Sequence, residues 1–312
     1  MKKYIAKRLL VSAASLLAVL FILFLLMDLL PGSPFNDEKL TEGQLLILKE
    51  KYGLDRPFFT RFLTYAGNMI KGDLGVSYSI AKDVPVAELI ANRLPVSLQV
   101  GGLAAFAGGI AGIALGMVSA VKEGKFSDGA AMILTVLGLS LPSYVLALIL
   151  SYVFGFRLHW FPILYRLDFP LWSSVLPAAA LGAFMAASVA RVMRAELILI
   201  LKSEYMAFAE SRGVPERRLL FVHALKNGIL PAVALMAPMT ASMITGSLAV
   251  EKIFSIPGTG SLMVTAIQSN DYNVVAGLAF LFSCIYIAVM LAADILYEIL
   301  NPGIRIAGRE AA

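Results

Sequence analysis

Six runs of about twenty or more apolar residues constrain this chain more than any other feature. They span Leu9–Leu30, Val96–Val121, Gly129–Phe156, Trp172–Ala190, Gly228–Val250 and Val274–Ala293. A bilayer core of about 30 Å is crossed by roughly 20 helical residues, because a helix satisfies its own backbone hydrogen bonds where no water is present. Composition agrees: 59% of the 312 residues are hydrophobic and only 15% charged, against about a quarter charged in soluble domains. That much apolar surface cannot be hidden in one aqueous core. The expected fold is an all-α integral membrane protein with six transmembrane helices.

The first run follows Lys2, Lys3, Lys7 and Arg8, the flank of a secretory signal. Its 22 residues exceed the apolar core of such a signal, and Leu30-Pro31-Gly32-Ser33-Pro34 is no small-x-small cleavage site. It is expected to be a retained first helix. Basic residues set the orientation. With the N-terminus inside, cytoplasmic segments carry the four N-terminal bases, Lys122, Lys125 and a cluster between the fourth and fifth runs. The short outer connections carry only Arg157, Arg166 and Lys252. Both termini are therefore expected in the cytoplasm. The net charge of +5 follows from this topology and gives no support for nucleic-acid binding.

The connection after the first run reads as a folded outer segment. Thr41 and Gln44 suit a capping box ahead of Leu45, Leu46, Leu48 and Tyr52, with Gly53 as a stop. Pro57 opens a second helix bearing Phe59, Phe62, Leu63, Ala66 and Ile70 at helical spacing, ended by Gly72. These stripes either pack on the outer ends of the membrane helices or meet cargo. The organisation expected is residues 1–94 (first span and outer segment), a core at 95–303 and a cytoplasmic tail at 304–312.

Within the later runs, Gly101, Gly102, Gly108, Gly109, Gly112 and Gly116 permit close helix approach. Pro142, Pro177, Pro231 and Pro238 permit bends. Asp28 and Asp294 fall near span ends, not at mid-membrane. A proton- or sodium-coupled carrier normally places ionisable groups there, so a secondary carrier or channel is disfavoured. An intramembrane hydrolase needs Ser/His or paired carboxylates within the spans, yet His159 and His223 both lie outside them. Cys284 is a lone thiol, read as a packing residue. Arg191 and Arg194, ending the fourth span, are expected at lipid head groups.

The segment Arg191–Asn227 is the longest cytoplasmic connection. Its centre predicts a short helix: Ser203 as N-cap, Glu204 in the first turn, and Gly213 at the left-handed C′ position. Pro215 then opens another helix with Glu216 in its first turn. Tyr205, Met206, Phe208 and Ala209 lie among charged neighbours. Two readings fit: docking to a partner, or packing against the inner ends of the bundle.

Ala207-Phe208-Ala209, Gly213 and Ile229-Leu230-Pro231 stand where the membrane subunits of binding-protein-dependent ABC importers carry their E-A-A, G and I-x-L-P signature. Ala207 stands at the glutamate position and Phe208 at the first alanine, both departing from it; Ala209 matches directly. Further stretches resemble the oligopeptide and dipeptide permeases of the B-subunit type, in order along the whole chain. They are Leu30–Phe35, Tyr52–Pro57, Gly72–Ser77, His223–Asn227, Glu251–Gly260, Asp271-Tyr272 and Tyr297 to Asn301-Pro302.

This resemblance implies a type I (MetI-like) permease fold in a bacterial or archaeal plasma membrane. It implies a coupling helix formed by Tyr205, Met206, Ala207, Phe208, Ala209, Glu210, Arg212 and Gly213, seated in a groove of an ATPase subunit. It also implies a second homologous permease, two ATP-binding subunits, an external binding protein and a peptide substrate. Permeases of the same kind also carry nickel chelates or sugars. No G-x-x-x-x-G-K-[ST] phosphate loop occurs in the chain, so no cofactor is expected on it; ATP and Mg would be bound by the partner subunits. Glu251, Phe254, Pro257 and Gly258 are read either as an outer gate region that meets the binding protein or as a tight turn between helices.

Overall fold

A computed structural model describes residues 2–29, 43, 47, 50, 53 and 55–300, with the side chains of residues 2–9, 27 and 28 outside that description. The capping box at Thr41 and Gln44, most of the helix expected after it, the Leu30–Phe35 stretch, the Asp28 side chain, Asn301-Pro302 and the tail at 304–312 lie outside the described residues. Gly53 is described: its φ of 66° is left-handed, and its N–H donates to the Glu50 carbonyl, as a helix stop requires.

The regular structure among the described residues is helical, with one isolated antiparallel bridge between Val76 and Pro85 in a loop. In order the helices are α1 (Lys2–Leu29), α2 (Phe58–Ile70), α3 (Val86–Val121), α4 (Phe126–Ser140), α5 (Ser143–Leu150) and α6 (Pro170–Leu201). There follow α7 (Glu204–Ser211), α8 (Glu216–Ile244), α9 (Leu248–Ile253), α10 (Thr259–Gln268) and α11 (Tyr272–Leu300). Two stretches are wound as wider π-helix: Ser151–Arg157, which prolongs α5, and Leu219–Ala224, inside α8.

Among the described residues, α3, α6, α8 and α11 are long and apolar enough to cross a membrane, and α1 carries a shorter apolar stretch, Leu10–Leu26. The third apolar run departs from expectation. It is not one rod but α4 and α5, bent by 108° at Leu141-Pro142. The cause is local: Pro142 clashes with a helical residue before it, and Leu141 accordingly takes an extended backbone (φ −85°, ψ 122°). The fourth and fifth runs are longer than expected. α6 stays helical to Leu201 and α8 begins at Glu216, so most of the expected 191–227 connection is the continuation of two spans.

The residues form two compact units. The first comprises those up to Pro95 together with Pro257–Ile287; the second comprises Val96–Ile256 and those from Ala288 onward. A boundary near residue 95 was expected, but the segment from Pro257 to Ile287 groups with the N-terminal part.

In the first unit, Val86, Ile90, Leu262, Ala266, Val274 and Leu278 form a small core. α2 packs on α1 through aromatic pairs: Phe62 meets Phe21 and Phe24 at 5.3 and 5.9 Å, and Tyr65 meets Phe24 at 5.8 Å. Its inward face is thus Phe58, Phe62, Tyr65 and Met69. Phe59, Leu63 and Ile70 of the expected stripe are exposed instead, a rotation by about one residue that the helical period alone leaves open. In the second unit α6 is the central element, with Met185, Val189, Met193 and Leu197 wholly buried. Its buried hydroxyls turn back on their own helix, Ser173 to the Phe169 carbonyl and Ser174 to that of Pro170, at 2.8 and 2.7 Å.

Candidate functional site

The candidate site lies on the connection between α6 and α8, and the second unit builds it from below. The turn between α3 and α4 is tied to the end of α6 at two points. Asp128, buried at the start of α4, accepts both Nε and Nη2 of Arg194 at 2.8 Å. It also accepts the Ser119 hydroxyl and the Gly124 N–H. Leu201 ends α6, and Lys202, just after it, pairs with Glu123 at 2.8 Å. Arg194 is therefore not a head-group anchor. Its guanidinium is turned inward to match the two oxygens of a carboxylate that would otherwise be desolvated without a counter-charge. Arg191 remains exposed.

α7 has only eight residues, too few to hold a helix unaided, so its ends and its packing decide its stability. The N-terminus differs from expectation. Ser203 takes the N-cap position and backbone conformation, but its hydroxyl donates to the Ile200 carbonyl and caps no N–H of α7. The C-terminus is a Schellman turn. The N–H of Gly213 donates to the Glu210 carbonyl at 2.9 Å, and that of Val214 to Ala209 at 3.3 Å. Gly213 has φ 78° and nothing within 4 Å of where a Cβ would stand, so glycine is needed there for the backbone conformation and not for space.

Met206 is the anchor. It is buried in the same core as Leu197, Leu219 and Ala224, with Ala209 and Val214 packed alongside. Burying such a side chain contributes about 1.5–3 kcal/mol, enough to fix a short helix against α6 and the π-helical start of α8. The opposite face looks outward. Phe208 is 63% and Tyr205 44% exposed, with Ala207, Glu210, Arg212 and Gly213 also exposed. The Arg212 guanidinium lies 5.7 Å from the Phe208 ring centre, and Asn227 Nδ2 donates to the Tyr205 hydroxyl at 3.4 Å. The two faces differ: Met206 and Ala209 pack on the bundle, while Tyr205 and Phe208 form an exposed aromatic patch with a charged rim. Exposed aromatics ringed by charges have the composition of a protein-docking surface.

The residues expected at an outer gate behave differently. Glu251 is buried, and Ser97 of α3 donates to its Oε1 at 3.0 Å. Phe254 is wholly buried, and its carbonyl accepts the Tyr165 N–H at 2.7 Å. Gly258 is buried and Pro257 half-buried; the exposed positions of this turn are Lys252 and Ser255. In this conformation Glu251 and Phe254 tie α9 to its neighbours instead of presenting a surface. The His223 carbonyl accepts Asn227 Nδ2 at 3.2 Å.

Gly72–Ser77 and Asp271-Tyr272 lie far apart in the sequence, and the first unit joins the two stretches. The Asp271 carboxylate, wholly buried just before α11, accepts the Ser77 hydroxyl at 2.5 Å and the N–H groups of Tyr78, Ser79 and Ile80 at 3.0–3.1 Å. Asn273 reaches the Val76 carbonyl at 2.9 Å. A Cβ at Gly75 (φ 76°) would stand 2.8 Å from that amide. Nothing local marks Asp271 as the ligand of a loop about 190 residues earlier; only the glycines of Gly72-Asp73-Leu74-Gly75 signal a tight turn.

Several long apolar helices, and a short exposed helix held between two of them, define a polytopic all-α membrane permease. The chain belongs to the binding-protein-dependent transport system inner membrane component family, whose model matches residues 112–306. It is similar throughout to the dipeptide transport system permease protein DppB of Lactococcus lactis subsp. cremoris, 38% identical over 98% of this chain and 100% of the relative. DppB of Bacillus subtilis is 34% identical over 98% of this chain and 99% of the relative. The oligopeptide transport system permease protein OppB of Escherichia coli K12 is 34% identical over 98% and 100%.

Proposed function

We propose that this chain is a pathway-forming subunit of an ATP-driven importer of dipeptides or oligopeptides, with α7 as its coupling helix. The exposed Tyr205–Phe208 patch carries the proposal, held at a fixed place by Met206 and by the Schellman turn at Gly213. Peptide cargo is supported by the names of relatives that match from end to end. In this reading a second homologous permease completes the pathway, an external binding protein delivers the peptide, and two partner subunits bind and hydrolyse ATP with Mg. The host membrane is a bacterial or archaeal plasma membrane, and both termini face the cytoplasm. The division at residues 94 and 303 separates the first span and outer segment from the transporting core.

Mechanically, closure of the ATPases would pull on α7. Because α7 is packed on α6 and α8, and α6 is tied by Arg194 and Lys202 to the α3–α4 turn, the pull would reach four helices together. The bent and π-helical stretches supply places where helices can change direction. Glu251 and Phe254 belong to the packing that such a motion must rearrange at the other end.

Reconstitution with candidate ATPase subunits tests this. Peptide uptake should require ATP and the binding protein, and uptake by the chain without ATP would refute the assignment. Gly213→Pro removes the N–H that closes the Schellman turn and forbids its positive φ. It should abolish ATPase association while membrane insertion survives. Normal assembly and transport by that variant would remove α7 from the coupling role.

A further inference from the structure

α4 is 15 residues long, or about 22 Å, short of the roughly 30 Å of a bilayer core. The chain then turns by 108°, so α5 and its π-helical extension run across the direction of α4 instead of completing a straight span. Two adjacent stripes mark this segment. Ala147, Ser151 and Gly155 are buried, whereas Tyr144, Leu148, Tyr152 and Phe156 are each about half exposed. A spacing of four residues keeps the exposed stripe on one side, and the wider π winding maintains it to Arg157.

The loop that follows continues the exposed face as a built surface. The Trp160 N–H donates to the Phe154 carbonyl at 2.9 Å and its ring rests on Phe154 at 5.6 Å. Trp172, at the start of α6, packs against Phe161 at 4.6 Å. Each indole is nonetheless more than half exposed, at 57% and 55%. Guanidinium groups flank them: Arg157 donates to the Tyr152 hydroxyl at 3.1 Å, and Arg166 lies over Phe169 at 5.6 Å beside the exposed Asp168. All of this lies at the end of α6 opposite α7. Fixed, half-exposed tryptophan and tyrosine with arginine is the chemistry of the membrane–water boundary, where an aromatic body needs hydrocarbon and a polar edge needs head groups.

We propose that α5 and the loop to α6 form an in-plane anchor at the lipid head-group boundary on that side of the membrane, with Trp160 and Trp172 at the boundary and Arg157 and Arg166 on phospholipid phosphates. The occupant of the exposed stripe is lipid, because the flanking helices α4 and α6 also expose large apolar residues, among them Ile133, Val136, Leu171 and Phe184. The anchor rests on the membrane embedding alone and is independent of the transported substrate. It gives α6 a fixed upper end, so that force applied through α7 bends the bundle instead of sliding α6 through the bilayer.

The chain contains only two tryptophans, so its intrinsic fluorescence reports on this surface directly. The full-length chain would be reconstituted into phosphatidylethanolamine–phosphatidylglycerol vesicles containing lipids brominated either near the carbonyl end or near the methyl end of the acyl chain. Shallow bromines should remove roughly half of the emission and deep bromines clearly less. Trp160→Phe and Trp172→Phe should each leave a residual signal with the same depth order. Stronger quenching by deep bromines would show that α4 and α5 cross as one span and would overturn the anchor. Absence of quenching by either lipid would also overturn it: with strong iodide quenching the surface faces water or a soluble partner, and without it another protein covers the face.

Discussion

Gly101 and Gly102 are neighbours on α3 with opposite surroundings, and substituting each by alanine separates packing from helix propensity. A Cβ at Gly101 would stand 2.3 Å from the Met243 carbonyl oxygen and 2.7 Å from Ile244 Cα, both backbone atoms of α8. Ordinary contact begins near 3.4 Å, so α3 and α8 would have to separate by about 1 Å, which rigid backbone cannot absorb by a rotamer change. Overpacking of this kind costs about 1–3 kcal/mol, and backbone contact places it at the upper end. Alanine recovers about 1 kcal/mol of helix propensity over glycine, leaving a net loss near 2 kcal/mol. A Cβ at Gly102 would meet nothing within 4 Å, so Gly102→Ala keeps only the gain of about 1 kcal/mol. Thermal dispersion of the purified protein in detergent, followed by size exclusion, would read the two as shifts of opposite sign. Equal midpoints, or a lower one for Gly102→Ala, would refute the close approach of α3 and α8.

Asp271→Ala should leave the N–H groups of Tyr78, Ser79 and Ile80 without their carboxylate, at about 1–3 kcal/mol for each group left buried. Limited proteolysis within residues 77–85 should become faster, and an unchanged cleavage rate would show that the carboxylate does not hold this loop. Arg194→Ala should strand the buried Asp128 carboxylate and cost about 3–5 kcal/mol, whereas replacing the pair together by Asp128→Leu and Arg194→Met should recover much of the loss. A double variant no more stable than Arg194→Ala in the same detergent assay would argue that the desolvated charge is not the source of the cost.

How legible the chain was follows from the range of each signal. The apolar runs report on a solvent, and lipid imposes one requirement at every point along a span, so composition alone identifies a polytopic helical membrane protein. α7 was equally readable, because Gly213 and Pro215 act within a few residues of themselves. The resemblance of the whole chain to peptide permeases pointed to the family that the match at residues 112–306 then showed. Faces were harder. On α2 the stripe Phe59, Leu63 and Ile70 has the same period as Phe58, Phe62, Tyr65 and Met69, and only the aromatic side chains of α1 select the second as the buried one.

The sequence by itself determined that the chain is helical and apolar over most of its length, where α7 starts and stops, and that no phosphate loop is present. These are consequences of backbone chemistry and solvent, which act residue by residue. Only the tertiary structure decided that Arg194 turns inward to Asp128, that Met206 faces the bundle while Phe208 faces out, and that Asp271 gathers a loop far away in the chain. Each of those depends on a partner that hydrogen-bonding reach can find only after the chain has folded, and no local pattern records which partner it will be.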